Sequence, residues 1–302
     1  MNSRTRRLQA ALQALAIGAV IAWTPGADAQ TAPAAPAKPA QPARSTAKKP
    51  AAPRPPLVVE PRAMDLLKAT SGRLAAARSL SFTAVASFEY PSKYGPPIVY
   101  TTRYDVTMAR PDKLRVLMPG DGPASEFSYD GKSMIAFAPV ENLAAVAAAP
   151  PTIEGALQAA YKTASIYFPF TDLILPDPYA ALAGGMLAFY IGPSGVVGGV
   201  KTEMVAWANK DVFLQIWIGV DDKLPRRVRA VFAADPLQLR HDLEIGNWQL
   251  DGPVAAEVFA SAKAASAGRM EFATPTVKLP PGMKPVALKK QTKPAATTPS
   301  AK

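Results

Sequence analysis

The chain of 302 residues is 49% hydrophobic and 19% charged, with 32 prolines, one histidine and no cysteine. Disulfides, thiolate metal sites, cysteine nucleophiles and a lipid-modified N-terminal cysteine are thereby excluded, as are zinc sites and dyads built on paired histidines. The formal net charge of +11 sits at the chain ends: residues 57–277 hold 20 basic and 22 acidic side chains, which gives no support to a basic nucleic-acid recognition face.

Residues 1–29 read as a secretory signal, with Arg4, Arg6 and Arg7 ahead of an apolar run from Leu8 to Trp23, a Pro25-Gly26 break and Ala27-Asp28-Ala29. Cleavage is expected after Ala29. The run is short and carries Gln9 and Gln13, which favours a removed signal over a retained anchor. The mature protein is therefore expected in the periplasm. From Gln30 to Pro56 the composition narrows to Ala, Pro, Lys, Arg, Ser, Thr and Gln, too poor in large apolar side chains to offset ordering entropy, so a disordered linker is expected. The tail 278–302 has the same character. The two arms together carry eleven basic residues and no acid: either they are solvated tails that aid solubility, or they are drawn to an anionic envelope surface.

Between the arms, 57–277 reads as one folded domain. Pro61 suits a first helical turn, and Met64, Leu67, Thr70, Leu74 and Ala77 follow at helical spacing, predicting a helix over 61–78. Leu80, Phe82, Ala84, Ala86, Phe88 and Tyr90 then alternate with mostly polar neighbours, which is the period of a half-buried strand. Tyr100, Tyr104, Val106 and Met108 repeat the pattern, as do Leu114, Val116 and Met118. Further strands are expected at 126–129 and 133–137 around an Asp130-Gly131 hairpin turn. A helix with Ile153, Leu157, Tyr161 and Ala164 on one face interrupts the sheet, with Thr152 as its N-cap. More strands are expected near 186–191, 200–207, 211–218, 226–233 and 237–248. About ten short antiparallel strands with two helices place the chain in the α+β class. The choice lies between a closed barrel and a strongly curved, incomplete barrel whose concave face is covered by helices; the greasy face of the first strands selects the second.

No constellation of acid, base and nucleophile emerges, so no enzyme, catalytic residue, metal or cofactor is expected. Gly192-Pro193-Ser194-Gly195 lacks the spacing of a nucleophile elbow and reads as a turn. His241 falls on the apolar alternate of its strand, where a hydrogen-bonded core histidine is expected. Arg226, Arg227 and Arg229 read as a solvated strand end. The segment Phe168-Pro169-Phe170-Thr171-Asp172-Leu173-Ile174-Leu175 is unusually apolar for a connection. Either it caps a helix within the core or it gates an apolar cavity.

Arg110-Pro111-Asp112-Lys113-Leu114-Arg115 and Tyr129-Asp130-Gly131-Lys132, leading into Met134, Ile135 and Phe137, resemble the strand-turn-strand signature of the lipoprotein carrier fold shared by LolA, LolB and RseB. The whole domain more closely resembles the predicted periplasmic family named domain of unknown function 2092. The resemblance rests on Asp172 to Leu175, Asp211 to Ile218, Leu224-Pro225-Arg226-Arg227, Trp248 and Leu279-Pro280-Pro281-Gly282. It implies an incomplete antiparallel barrel with a helical lid and a cavity suited to acyl chains, and carries over no catalytic residue. The expected function is a non-enzymatic periplasmic carrier holding a lipid or a lipidated protein's acyl group against Phe82, Phe88, Tyr100, Tyr104, Leu114, Val116, Phe127, Phe168, Phe170 and Leu173. The alternative is an envelope protein-interaction or stress-sensing module without bound lipid.

Overall fold

The computed structural model describes residues 58–120 and 122–274. The expected signal segment 1–29, the linker 30–56, the tail 278–302 and the Leu279 to Gly282 motif lie outside the described residues. Helix α1 (Pro61–Ala76) precedes strands β1 (Ser79–Tyr90), β2 (Ile98–Ala109), β3 (Lys113–Met118), β4 (Ser125–Tyr129), β5 (Ser133–Ala138) and β6 (Leu143–Ala148). Helix α2 (Ile153–Ala164) and the single turn α3 (Thr171–Ile174) follow. The second half is β7 (Leu187–Ser194), β8 (Thr202–Ala208), β9 (Val212–Gly219), β10 (Pro225–Phe232), β11 (Arg240–Leu250), the short α4 (Ala262–Ala265) and β12 (Gly268–Met270).

All twelve strands form one sheet in the order β12-β6-β5-β4-β3-β2-β1-β11-β10-β9-β8-β7. Every pairing is antiparallel except β12 with β6, and β7 and β12 do not meet, so the barrel is incomplete. The long β1–β2 hairpin and the β1–β11 pair at the centre join a meander on each side. One edge is covered at Val59, which bridges Ala188 of β7 in parallel.

Alternation gives the sheet one apolar inner face. In β1 the even residues face inward, and register carries that face across to Tyr104 and Val106, Leu114 and Val116, Phe127 and Tyr129, and on the other side to Leu243 and Ile245. α2 and the chain after it cover this half. α1 covers the other half, where Ala63, Leu66 and Leu67 pack on Val205, Trp207, Ile216 and Ile218. Val228 touches both clusters and joins them into one core. The outer face is wet and laced with ion pairs such as Arg115 with Glu126 at 3.2 Å and Arg103 with Asp105 at 2.9 Å.

The sequence pattern misses two strands. β6 reads Leu-Ala-Ala-Val-Ala-Ala, where alanine hides the alternation, and β12 has three residues. β6 contributes Ala144 to a small outer-face cluster in which Phe137 and Ala144 pack under Ala264 and Ala267, and β12 begins at the next residue. The segment Gly192 to Gly195 is also more than a turn: β7 runs to Ser194 with an irregularity in its pairing at Gly192, whose φ of 149° is readily adopted only by glycine.

Candidate functional site

The chain between α2 and α3 fills the centre of the inner face. α2 starts at Thr152, whose side chain accepts a hydrogen bond from the Gly155 N–H, and ends at Ser165 in the left-handed conformation. The following residues cross the sheet as a plug. Thr171 fixes its turn by donating its hydroxyl to the Phe168 carbonyl at 2.7 Å, and the Leu173 N–H donates to the Phe170 carbonyl.

Phe168 and Phe170 stack with ring centroids 5.5 Å apart. Phe170 meets the edges of Phe82 and Tyr104, each at 5.5 Å, and Phe168 meets Phe127 at 5.5 Å and Tyr104 at 6.2 Å. Trp248 closes the group at 4.6 Å from Phe82. Edge-to-face contacts of this kind add to the burial of each ring. Leu114 and Val116 lie fully buried beneath, and Leu173 packs partly buried on the same cluster.

Eight of the ten expected ligand-binding residues thus come together in one packed cluster. Phe88 and Tyr100 stand apart from it, farther along the same face, with their rings stacked at 5.6 Å. Register places His241 opposite Phe88 and Ala230 opposite His241. The His241 ring lies 6.5 Å from Phe88 and 5.2 Å from Phe232, while Tyr90 meets Tyr100 at 6.1 Å. An aromatic row Tyr90, Tyr100, Phe88, His241 and Phe232 therefore crosses the mouth of the half-barrel, half-buried or exposed throughout.

His241 is accordingly a mouth residue held between two phenyl rings, and its imidazole makes no hydrogen bond among the described residues, contrary to the expectation for a core histidine. Burial holds its imidazole below the ordinary histidine value, against the pull of Asp235, Glu89 and Asp242. Phe232 escaped the sequence reading, although Val228, Ala230 and Phe232 alternate in step with His241 across the strand pair.

Two polar groups mark the plug. Burial raises the Asp172 carboxyl above its ordinary value, and no ion pair or side-chain hydrogen bond holds it among the described residues. Burial first, then Asp172 with Tyr104 and Tyr161, pushes up the Tyr167 phenol. Arg110 ties the region together, donating to the carbonyls of Ala77 at 3.1 Å, Leu175 at 3.1 Å and Leu74 at 3.4 Å. One guanidinium therefore joins the C-terminal end of α1 to the chain that leaves α3.

The outer face carries two open clefts. One of about 240 Å³ is lined by Ser81, Thr83, Asp105, Thr107, Arg115 and Gln249 among others. The other, of about 170 Å³, is lined in part by Ser87, Glu89, Arg227, Arg229, Arg240 and Asp242. In the second, Arg227 pairs with Asp242 at 2.8 Å and Arg240 with Glu89. The Arg229 side chain makes no hydrogen bond and no ion pair within 4 Å among the described residues, although its charge helps hold the Glu89 carboxyl below its ordinary value. Those residues hold no cluster of three or more His, Cys, Asp or Glu side chains able to bind a metal ion, and no helix long and apolar enough to cross a membrane.

No curated protein matches the chain in sequence. Its fold is similar to that of the lipoprotein LppX of Mycobacterium tuberculosis, at 12% identity over 66% of this chain and 100% of that one, with a TM-score of 0.42. It is also similar to the MucA/MucB complex structure of Pseudomonas aeruginosa, at 14% identity over 67% of this chain and 62% of that one, with a TM-score of 0.37. A LolA superfamily protein of Nitrosomonas europaea is similar at 9% identity over 66% and 97% of the two chains, with a TM-score of 0.30. The profile of the predicted periplasmic protein family DUF2092 matches residues 63–273, most of the chain, and the protein belongs to that family.

Proposed function

We propose that this protein is a non-enzymatic periplasmic carrier or binding protein, exported by residues 1–29 with cleavage after Ala29, whose domain 57–277 holds a lipid, an acyl chain or the lipidated end of a protein on the inner face of its half-barrel. The observation that carries the reading is the aromatic row at the mouth. Phe88, Tyr100, His241 and Phe232 form an apolar floor left half open, and it runs into a core closed by a short plug. An acyl chain lying on that floor would displace the plug at Phe168, Phe170 and Leu173 and reach Phe82, Tyr104, Leu114, Val116 and Phe127. Burying roughly 300 Å² of acyl surface at about 25 cal/mol per Å² is worth about 7 to 8 kcal/mol, close to micromolar affinity without a charged anchor.

The test is native mass spectrometry of protein recovered from its own periplasm, with displacement of a fluorescent fatty acid. Bound acyl species and displacement are expected. Phe88→Glu, a charge placed on the floor, should abolish displacement and leave thermal unfolding in place. A ligand-free spectrum together with no displacement overturns the reading.

The close packing beneath the plug favours a second reading, an envelope protein-interaction or sensing module that holds no lipid. It predicts capture of the same envelope protein before and after lipid extraction of the sample.

A further inference from the structure

Strand direction places the β1–β2 turn (91–97), the β10–β11 loop (233–239) and the first residues of β7 at one end of the sheet, the end where the aromatic row lies. The apolar side chains there face water. Tyr94 is 93% exposed, Leu237 60%, Val99 59% and Tyr100 50%, and Ile98 stands beside them. The turn that carries Tyr94 is built to hold it out: Pro91, Pro96 and Pro97 flank it, Gly95 takes a positive φ of 104°, and the Tyr94 N–H is held by the Ser92 hydroxyl at 3.0 Å. A side chain fixed in water by its own turn contributes nothing to the core.

We infer that this end of the half-barrel docks on an anionic lipid bilayer, with Tyr94, Val99 and Leu237 entering the interface and Lys93 and Arg229 facing phosphates. Tyrosine suits that depth because its ring is apolar and its hydroxyl is wet. The charges of the tip support the same partner. Arg240 is taken up by Glu89 and Arg227 by Asp242, Arg229 stands opposite Asp242 in register and adds its charge near Glu89, and Lys93 has no acidic partner among the described residues; the loop's own carboxylate, Asp235, accepts from the Leu237 and Leu239 N–H groups. The route of the chain agrees as well. It enters the domain at Val58, which accepts a hydrogen bond from Ala188 at this end of β7, so the linker 30–56, with five basic residues and no acid, joins the domain at the docking end. Long-range attraction by the arms and short-range insertion by the tip then act on one surface. This goes beyond binding of a single lipid, since it assigns the surface from which a lipid would be taken.

The experiment uses processed protein recovered from the envelope, arms intact, and vesicles of phosphatidylglycerol and phosphatidylcholine with and without brominated chains. At about 0.5 M salt, where screening reduces the pull of the arms to within a few Å, Tyr94→Trp should gain a blue-shifted emission quenched by the brominated lipid. The double variant Y94D/V99D should lower the partition coefficient at least tenfold while melting as the parent does. An unquenched Tyr94→Trp, equal sedimentation of Y94D/V99D and parent, or no sedimentation of the parent on either vesicle overturns the inference. Displacement of soluble fluorescent fatty acid by the same variants is the separate readout for the carrier function, so the two ideas fail independently.

Discussion

Asp172 occupies the single helical turn that closes the plug, and among the described residues nothing compensates its charge. Because burial raises its pKa above the ordinary value of 3.8, the folded chain keeps the proton over a pH range in which the unfolded chain has lost it. The stability associated with that proton is fully present below about 3.8 and is lost as pH rises through the raised folded value. At neutral pH the carboxyl therefore works against the plug. Asp172→Asn keeps the size and removes the charge, so its thermal midpoint should exceed that of the parent at pH 7 and match it at pH 3. Equal midpoints at both pH values would show that the plug carries no such cost. The sequence marks the greasy segment around Asp172 by composition alone. That the carboxylate goes without a cation depends on which strands come to lie beneath it, and no spacing in the chain encodes that.

At the scale of elements, α1 and the plug are covered faces held together by few polar ties. Arg110 is the chief tie, since its three carbonyl partners belong to the end of α1 and to the residue after α3. Hydrogen bonds from a charged donor are worth about 1.5 to 3 kcal/mol each, and the carbonyls left behind are partly buried. Arg110→Met should therefore lower unfolding stability by about 3 kcal/mol, and chemical denaturation would read it. Loss of less than about 0.5 kcal/mol would mean that the apolar packing of α1 and the plug is sufficient. Phe170, fully buried and touching three rings, is held by that packing, and Phe170→Ala belongs with core truncations of about 3 to 5 kcal/mol. The legibility of these elements follows from their side chains. β1 and β2 alternate large apolar with polar residues and are read correctly to within two residues. β6 is invisible because Ala144, Ala145, Ala147 and Ala148 have no strong preference, and its place is set by pairing with Ser133–Ala138. Likewise Phe88 and Phe82 look alike in the alternation of β1, yet the plug reaches only Phe82, a distinction that arises from where α2 ends.

At the scale of the whole molecule, a sheet that does not close leaves both an accessible mouth and two edge strands, and the chain protects the edges economically: Val59 bridges one, and three-residue β12 ends the other. The charge distribution divides labour in the same way, with a slight acidic excess in 57–277 and eleven basic residues without an acid in 30–56 and 278–302. Because the arms are so poor in large apolar side chains, removing both should leave the thermal midpoint of the domain unchanged. It should also leave displacement of a fluorescent fatty acid unchanged, since every residue of the aromatic row lies in the domain. Attraction to anionic vesicles at low salt should fall, because opposite charges in water act over about one Debye length, roughly 10 Å at 0.1 M salt, and the arms hold the chain's excess of positive charge. Co-sedimentation with phosphatidylglycerol vesicles at low and at physiological salt, comparing residues 30–302 with a chain trimmed to 57–277, measures this directly. A trimmed protein that sediments as well as the parent at low salt would assign all of the attachment to the folded domain, and the arms would then act only as spacers between the domain and whatever lies at the chain ends.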